Sequence, residues 1–296
     1  MNPNGVIPWP VDWHGDSELH RYVMCDVFTS VPLQGNQLGV FLDGRPFATP
    51  DMQRIAREIN LSETVFLFPP SSGGDVALRI FTTHSELPFA GHPVLGAAFV
   101  VGNALGADEV TLETGAGLVP ITLERDGGRV IFGTMRQPIP TWQSFEHQEE
   151  LLDALALAES ELPIEVYDVG LQHVYVALAD EDAVASLSPN QAAIAALGVA
   201  TNCFAGSGRS WLTRMFYPSA GMSEDAATGS AAGPLAVHLA RHGRIGFGGQ
   251  IEIRQGAQIG RPSLLYATAF GEGDRIDKVE VGGSAVIVAE GGYRVR

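Results

Sequence analysis

Basic residues are scarce in this chain of 296 residues: 18 Lys and Arg stand against 34 Asp and Glu, which leaves a formal net charge of −16. Such a charge repels a phosphate backbone from most of the protein surface. Nucleic acids and anionic membranes are therefore poor partners. A small anionic substrate would need a local positive potential from a source other than scattered basic side chains.

Cysteine is also scarce, because only Cys25 and Cys203 occur, far apart and each within an apolar segment. This pattern predicts two buried free thiols rather than a disulfide framework or a zinc site. The N-terminal segment lacks the basic and apolar regions of a signal peptide. The uncharged stretch 87–107 contains Pro and Gly, and its helical part is too short to span a bilayer. We therefore expect a soluble cytoplasmic protein.

The chain contains a weak internal repeat with an offset of about 135 residues. RIFTTHSELPFAGHPVLG from Arg79 parallels RMFYPSAGMSEDAATGSAAGP from Arg214, and GNQLGVFL from Gly35 parallels GLQHVYVAL from Gly170. Two pairs at one offset favour a duplication. The sequence therefore predicts an N-terminal extension (1–20) and two homologous domains (21–140 and 141–296), with the option that the last strand returns to the first domain.

Each predicted domain combines short strands with one unusual helix. Alternating apolar and polar residues predict half-buried antiparallel strands at 110–114, 118–125, 129–135 and 250–256. Segment 51–59 is an amphipathic surface helix, whereas 92–105 and 230–242 are apolar nearly all round and must be enclosed. The prediction is an α+β fold in which each domain is a β-barrel or curved sheet wrapped around a central α-helix, with the active site in the interdomain cleft.

Both enclosed helices begin with residues suited to bind an anion. Gly91 and His92 open the first helix, and Gly229 and Ser230 open the second, where Ser230 or Thr228 is a candidate cap. A helix N-terminus offers unpaired N–H groups and roughly half a unit of positive charge. If a pseudo-twofold axis brings both starts into one cleft, they can hold a substrate carboxylate without a lysine.

Three titratable residues are the candidates for chemistry, and each has a plainer interpretation. Glu63 lies between a helix and an apolar strand, where a glutamate is usually solvated or a cap. His92 precedes Pro93, a position that also suits a simple hydrogen-bonding role. Asp225 lies in a segment typical of turns and caps.

A second histidine pair lies on the second enclosed helix. His238 and His242 have the i, i+4 spacing of a metal pair, but no carboxylate accompanies them in an HExxH-like pattern. We interpret them as a packed face and a complement to the helix dipole, and predict no metal site. Glu224 is expected to face solvent.

Several motifs together resemble the phenazine-biosynthesis PhzF family, which has the diaminopimelate-epimerase-like fold. The similarity runs from about Tyr22 to the end of the chain. The motifs are GNQLGVFL, MQRIAREINLSET, ELPFAGHPVLG, QPIPTW, NCFAGSGRSW, EDAATGSAAGPLAVHLARHG and IGRPSL.

The resemblance implies an activity and assigns roles. It implies cofactor-free isomerisation of trans-2,3-dihydro-3-hydroxyanthranilate, with Glu63 moving a proton from C3 to C1 and the resulting enol giving the 6-amino-5-oxocyclohex-2-ene-1-carboxylate ketone. His92 and Asp225 match residues that hold polar groups of the substrate and assist proton movement. It also implies a homodimer and other phenazine-pathway enzymes as partners. The positions that match the substrate-binding set are Ser62, Gly91, Gly229 and Ser230.

The proton transfer explains why one carboxylate can suffice. A group that acts first as base and then as acid needs a pKa well above the free value of about 4.3. Burial of Glu63 beside Val65 and Phe66 would raise it. Relatives on this fold that epimerise amino acids use a cysteine from each domain, and neither Cys25 nor Cys203 lies at a helix start.

Two alternatives stay open. One is a PhzF-like isomerase or epimerase acting on a different small carboxylic acid, with Glu63 and either Asp225 or His92 as the acid–base pair. The other is a non-catalytic protein that binds a small anion, although binding alone does not require Glu63.

Overall fold

The computed structural model describes residues 19–295. The proposed N-terminal extension lies outside this range except for its last two residues. The helices are α1 Thr49–Ile59, α2 Gly91–Leu105, α3 Gln148–Leu155, α4 Glu181–Ala185, α5 Gln191–Leu197 and α6 Gly229–Arg241. The strands are β1 His20–Val27, β2 Asn36–Phe41, β3 Glu63–Phe68, β4 Val76–Phe81, β5 Glu86–Leu87, β6 Glu109–Thr114, β7 Gly117–Asp126, β8 Arg129–Gln137, β9 Thr141–Ser144, β10 Glu165–Asp168, β11 Gln172–Ala177, β12 Ala200–Ser207, β13 Ser210–Tyr217, β14 Met222–Asp225, β15 Ile251–Gln255, β16 Ser263–Glu272, β17 Arg275–Gly283 and β18 Ala285–Tyr293.

The alternating segments form strands as predicted. In β7 every second residue from Val119 to Leu123 is buried while its neighbours are exposed, as a strand with one face on a core requires. The strands of residues 19–295 are hydrogen-bonded into one continuous, mostly antiparallel sheet. Parallel pairs occur where a helix or another strand intervenes, as between β2 and β3.

The two apolar helices are enclosed, as their lack of a polar face predicted. Twelve of the 15 residues of α2 and twelve of the 13 residues of α6 are buried. Helix α2 contacts β1, β2, β6 and β8, and α6 contacts β16 and β17. Each helix begins one residue before the predicted start, at Gly91 and Gly229. The hydrophobic effect thus holds each helix inside a curved sheet.

Strands from the two halves of the chain are interleaved. The last strand, β18, pairs antiparallel with β1 from His20 to Val27. Strand β17 pairs with β8 through Val279 and Gln137. The boundary suggested near residue 140 falls between β8 and β9, and the division into two domains stays a prediction.

Both thiols are buried, as predicted. Burial raises the pKa of Cys25 and of Cys203 to about 12, so neither is a thiolate at neutral pH. Within residues 19–295, the helices are all too short or too polar to traverse a lipid bilayer.

The expectation that Glu224 faces solvent is wrong. Its side chain is 8% exposed and accepts two hydrogen bonds from Arg214, at 3.0 Å from Nε and 2.7 Å from Nη2. Arg214 lies on the neighbouring strand β13, so the pairing of β13 with β14 brings the two charges together. A single sequence does not reveal this cross-strand partner.

Candidate active site

A cavity of about 510 Å³ lies where the two enclosed helices begin. It is lined by residues from both halves of the chain. Every residue that the sequence singled out for the site lines it: Ser62, Glu63, Gly91, His92, Asp225, Gly229 and Ser230. Among the described residues that line it, none is a lysine or an arginine.

The two helix starts touch each other at this cavity. A Cβ atom on Gly91 would lie 2.6 Å from the carbonyl carbon of Gly229 and 2.7 Å from the backbone nitrogen of Ser230. Only glycine permits this approach. The N-terminal ends of α2 and α6 therefore direct their positive dipole ends at one place.

The predicted side-chain cap of α6 is wrong. Thr228 occupies the N-cap position, but its hydroxyl donates to Asp225 Oδ2 at 2.7 Å rather than capping the helix. The Ser230 hydroxyl lies 3.0 Å from His173 Nε2. Both hydroxyls take part in side-chain networks around the cavity, which competes with capping.

Glu63 is the first residue of β3, where it pairs with Leu38 of β2. The residue is 8% exposed. Its Oε2 lies 3.4 Å from His92 Nε2, and each of these two atoms lacks another hydrogen-bond partner within residues 19–295. Burial, followed by the nearby charge of Asp225, raises the pKa of Glu63 to about 8.

His92 and Asp225 are buried beside Glu63. Burial lowers the pKa of His92 to about 3, so the imidazole is neutral. Burial also raises the pKa of Asp225, while hydrogen bonds from Thr228 and Asn36 oppose the shift. A carboxyl with a raised pKa in contact with a neutral imidazole forms a site that can both accept and donate one proton.

Asn36 joins these groups, although no motif in the sequence marked it as a site residue. Its Nδ2 lies 2.9 Å from Asp225 Oδ1, 2.9 Å from the Ala227 carbonyl oxygen and 3.3 Å from His92 Nδ1. Its Oδ1 accepts a hydrogen bond from the Ser62 hydroxyl at 3.2 Å. The sequence signal that could have indicated Asn36 is its position in the segment GNQ, where the turn ends and β2 begins.

The pair His238 and His242 has a carboxylate after all, which corrects the sequence interpretation. Glu165 Oε2 lies 3.2 Å from His238 Nδ1 and 3.1 Å from His242 Nε2. The three ligand atoms lie within 4.8 Å of one another, as a metal site would need. The same oxygen also accepts hydrogen bonds from Arg241 Nη1 and the Tyr167 hydroxyl, both at 2.8 Å. The Arg241 guanidinium therefore already supplies the positive charge at this oxygen.

Comparison with known proteins decides the family. The chain matches the model described as "Phenazine biosynthesis-like protein" over residues 25–291. The chain belongs to this family. It is 53% identical to trans-2,3-dihydro-3-hydroxyanthranilate isomerase of Pseudomonas aeruginosa over 274 residues, which cover 92% of this chain and 99% of the relative. The isomerase of the same name from Pseudomonas fluorescens is 50% identical over the same shares.

Solved structures confirm the predicted fold of this phenazine biosynthesis-like protein. A PhzF-family protein from Bacillus anthracis superposes with a TM-score of 0.81 at 24% identity and covers 94% of this chain and 100% of its own. At 24% identity this structural similarity establishes the fold alone. The α+β class and the diaminopimelate-epimerase-like architecture predicted from the sequence are therefore correct.

Proposed function

We propose that this protein is a trans-2,3-dihydro-3-hydroxyanthranilate isomerase that works without a cofactor, with Glu63 as its proton carrier. One observation carries the proposal: Glu63 is buried in the cavity, its pKa is raised to about 8, and its Oε2 faces His92. A carboxyl with that pKa exists in both protonation states near neutral pH, as a group that acts as base and then as acid requires. The identity to the two Pseudomonas isomerases supports this substrate.

The isomerisation step moves one proton and no other atom, and the later tautomerisation of the enol moves a second proton from oxygen to C4. Glu63 removes the proton from C3, and the C3–H electron pair forms the C3=C4 double bond. The C4=C5 pair shifts to C5=C6, and the former C1=C6 pair takes a proton at C1 from the Glu63 carboxyl. The enol at C3 then tautomerises to the ketone. Glu63 ends as the carboxylate that began the cycle.

The repeat supports a single carboxylate for both transfers. Leu38 pairs with Glu63 in the first half, and its repeat counterpart His173 pairs with Ala200 in the second. Ala200 therefore occupies the position equivalent to Glu63 and offers no acid or base. A proton moved between two carbons on one ring face needs only one such group.

The helix starts supply the site for the substrate carboxylate. In the proposal the first turns at Gly91 and Gly229 and the Ser230 hydroxyl receive it, and Ser62 contacts a polar group of the ring. His92 and the Asp225 carboxyl hold the amino and hydroxyl substituents. The absence of lysine and arginine among the described lining residues leaves the helix dipoles as the local positive potential.

Turnover in D₂O tests the proposal. The protein is incubated with trans-2,3-dihydro-3-hydroxyanthranilate and followed by NMR. We expect loss of the C3 hydrogen, with deuterium at C1 to the extent that protonated Glu63 exchanges with solvent before it protonates C1. Glu63→Gln removes the proton carrier and should lower the rate by about 10²–10⁴-fold. Glu58→Gln, an exposed glutamate of the preceding helix, is the matched control and should keep the native rate.

Each outcome is informative. No turnover by the native protein would overturn the proposed substrate. Native turnover by Glu63→Gln would remove Glu63 from its role. Exchange of the α-proton of an amino acid such as proline would indicate an epimerase instead.

The homodimer, the cytoplasmic location and the phenazine-pathway partners expected from the sequence belong to the same proposal. Sedimentation equilibrium of the full chain tests the dimer. The segment that contains Trp9 and Trp13 lies outside the described residues, and sedimentation of a variant without residues 1–20 tests whether it takes part in association.

A further inference from the structure

The residue behind Ser230 has no role in the proton transfer described above. His173 lies in β11 with 0% exposure, and its Nε2 is 3.0 Å from the Ser230 hydroxyl oxygen. Ser230 itself lies in the first turn of α6 and lines the cavity. A buried imidazole thus contacts the hydroxyl of a residue that lines the cavity at the start of α6.

We propose that His173 is a positioning residue that turns the Ser230 hydroxyl into a hydrogen-bond donor toward a carboxylate in the cavity. The inference rests on the proposed function for the identity of that carboxylate. His173 does not line the cavity, yet in this proposal it contributes to substrate selection through Ser230.

The tautomer of His173 follows from Asn202. The Nδ2 of Asn202 lies 3.3 Å from the carbonyl oxygens of both Val174 and Ala200, and these acceptors fix the orientation of its amide. The same Nδ2 lies 3.4 Å from His173 Nδ1. The two amide hydrogens are shared among these three acceptors, and the amide nitrogen has no lone pair to offer. An N–H at Nδ1 would therefore face another N–H, so Nδ1 carries the lone pair and the proton resides on Nε2.

The Ser230 hydroxyl must then donate elsewhere. Burial lowers the pKa of His173 to about 3, so the imidazole is neutral and carries a single N–H. That N–H donates to Ser230 Oγ, and the hydroxyl hydrogen is left to point at another acceptor. Because this hydroxyl can only donate toward the cavity, it stabilises a bound carboxylate oxygen there and does not stabilise an ammonium group.

The fold itself does not require a polar side chain at this position. Leu38 is the repeat counterpart of His173 in the first half, and it is also 0% exposed. A leucine therefore packs against α2 near Gly96, at the position equivalent to the histidine that contacts Ser230 of α6. The polar residue appears in the half whose enclosed helix has a serine in its first turn.

Binding of two probes tests the inference without turnover. 3-Hydroxyanthranilate is an aromatic analogue with the carboxylate, and 2-aminophenol lacks it; calorimetry gives Kd for each. His173→Leu removes the donor, and we expect it to weaken 3-hydroxyanthranilate binding about tenfold while leaving 2-aminophenol binding unchanged. His173→Gln restores a side-chain N–H and should recover part of the loss.

A double-mutant cycle with Ser230→Ala separates positioning from packing. We expect His173→Leu to have no further effect on Kd once Ser230 is alanine, because the two residues act through one hydrogen bond. Additive losses, or native Kd in His173→Leu, would overturn the inference. So would an imidazole ¹⁵N spectrum of the native protein that places the His173 proton on Nδ1.

The failure of the proposed function is distinguishable from the failure of this inference. A native protein that binds 3-hydroxyanthranilate while the variants behave additively removes His173 alone. A native protein that neither binds 3-hydroxyanthranilate nor turns over the substrate overturns both.

Discussion

Two buried glutamates show how strongly the local environment determines the charge of one residue type. Glu63 is buried with few donors, and its pKa rises to about 8. Glu113 accepts hydrogen bonds from the backbone N–H groups of Ser71, Gly74 and Ser72, and its pKa falls to about 2. Burial without donors favours the neutral acid, while N–H donors favour the carboxylate. The difference separates a carboxyl that can hold a proton near neutral pH from one that stays ionised and holds a loop.

At the residue scale, Glu63→Gln should change the pH dependence of stability. The folded-state pKa of about 8 lies above the ordinary value of 4.5, so the folded protein binds the extra proton and its stability falls as pH rises between these values. The free energy of unfolding of Glu63→Gln, relative to that of the native protein, should therefore rise by up to a few kcal/mol between about pH 5 and 8. The slope is roughly 1.4 kcal/mol per pH unit. Urea unfolding at pH 5, 6.5 and 8 measures the difference.

Glu113→Gln is the control with the opposite sign. Its folded pKa is depressed to about 2, so its contribution to stability is fully present above pH 4.5 and is lost only as pH falls toward 2. Between pH 5 and 8 the difference from the native protein should be constant. A constant difference for Glu63→Gln over the same range would contradict the raised pKa.

At the scale of elements, the contact between the starts of α2 and α6 defines the site. Each helix is apolar all round, so its position inside a sheet follows from burial alone. Their direct contact depends on Gly91 and Gly229, since a side chain at either position meets the other helix start. The geometry of the candidate site is therefore a property of two helices together.

Gly91→Ala should separate the helix starts. Its Cβ would lie within 2.7 Å of backbone atoms of α6, which cannot rotate away as a side chain can. A displacement of this kind should lower kcat/KM by about 100-fold, because catalysis depends on placement within an ångström. Steady-state kinetics measure it. Gly246→Ala, which meets nothing within 4 Å, is the control and should keep native kinetics.

The sequence could predict the elements of the site but not all of their partners. Helix-start chemistry and strand patterning made Glu63, His92 and Asp225 candidates, and the resemblance of short motifs to the family assigned their roles, because these signals lie within short stretches of chain. Asn36 and His173 act through residues more than 50 positions away, and one sequence holds no signal for such pairs. The Glu165 partner of the histidine pair escaped prediction for the same reason, being 73 positions from His238.

At the scale of the whole molecule, the acidity and the ties between the halves matter most. Lys278 is the only lysine in the sequence, so backbone N–H groups and arginines are the main groups available to bind an anion.

Arg261, from the second half of the chain, holds the first half in place. Its Nη2 lies 2.7 Å from Asp26 Oδ1 and 2.6 Å from the Gln34 carbonyl oxygen, and its Nε donates to the Gly35 carbonyl oxygen at 2.9 Å. This arginine thereby fixes the loop that ends at Asn36.

Arg261→Ala should weaken the whole fold rather than one element. Asp26 is 2% exposed, so removal of its partner leaves a buried carboxylate without its counter-charge, at a cost of about 3 kcal/mol. Chemical denaturation should show this loss in one cooperative transition, since β18 and β17 join the two halves of the chain. Arg254→Ala removes an exposed pair with Glu181 and should cost less than about 1 kcal/mol. Two separated transitions in the Arg261 variant would instead mean that this arginine, more than the shared strands, couples the halves.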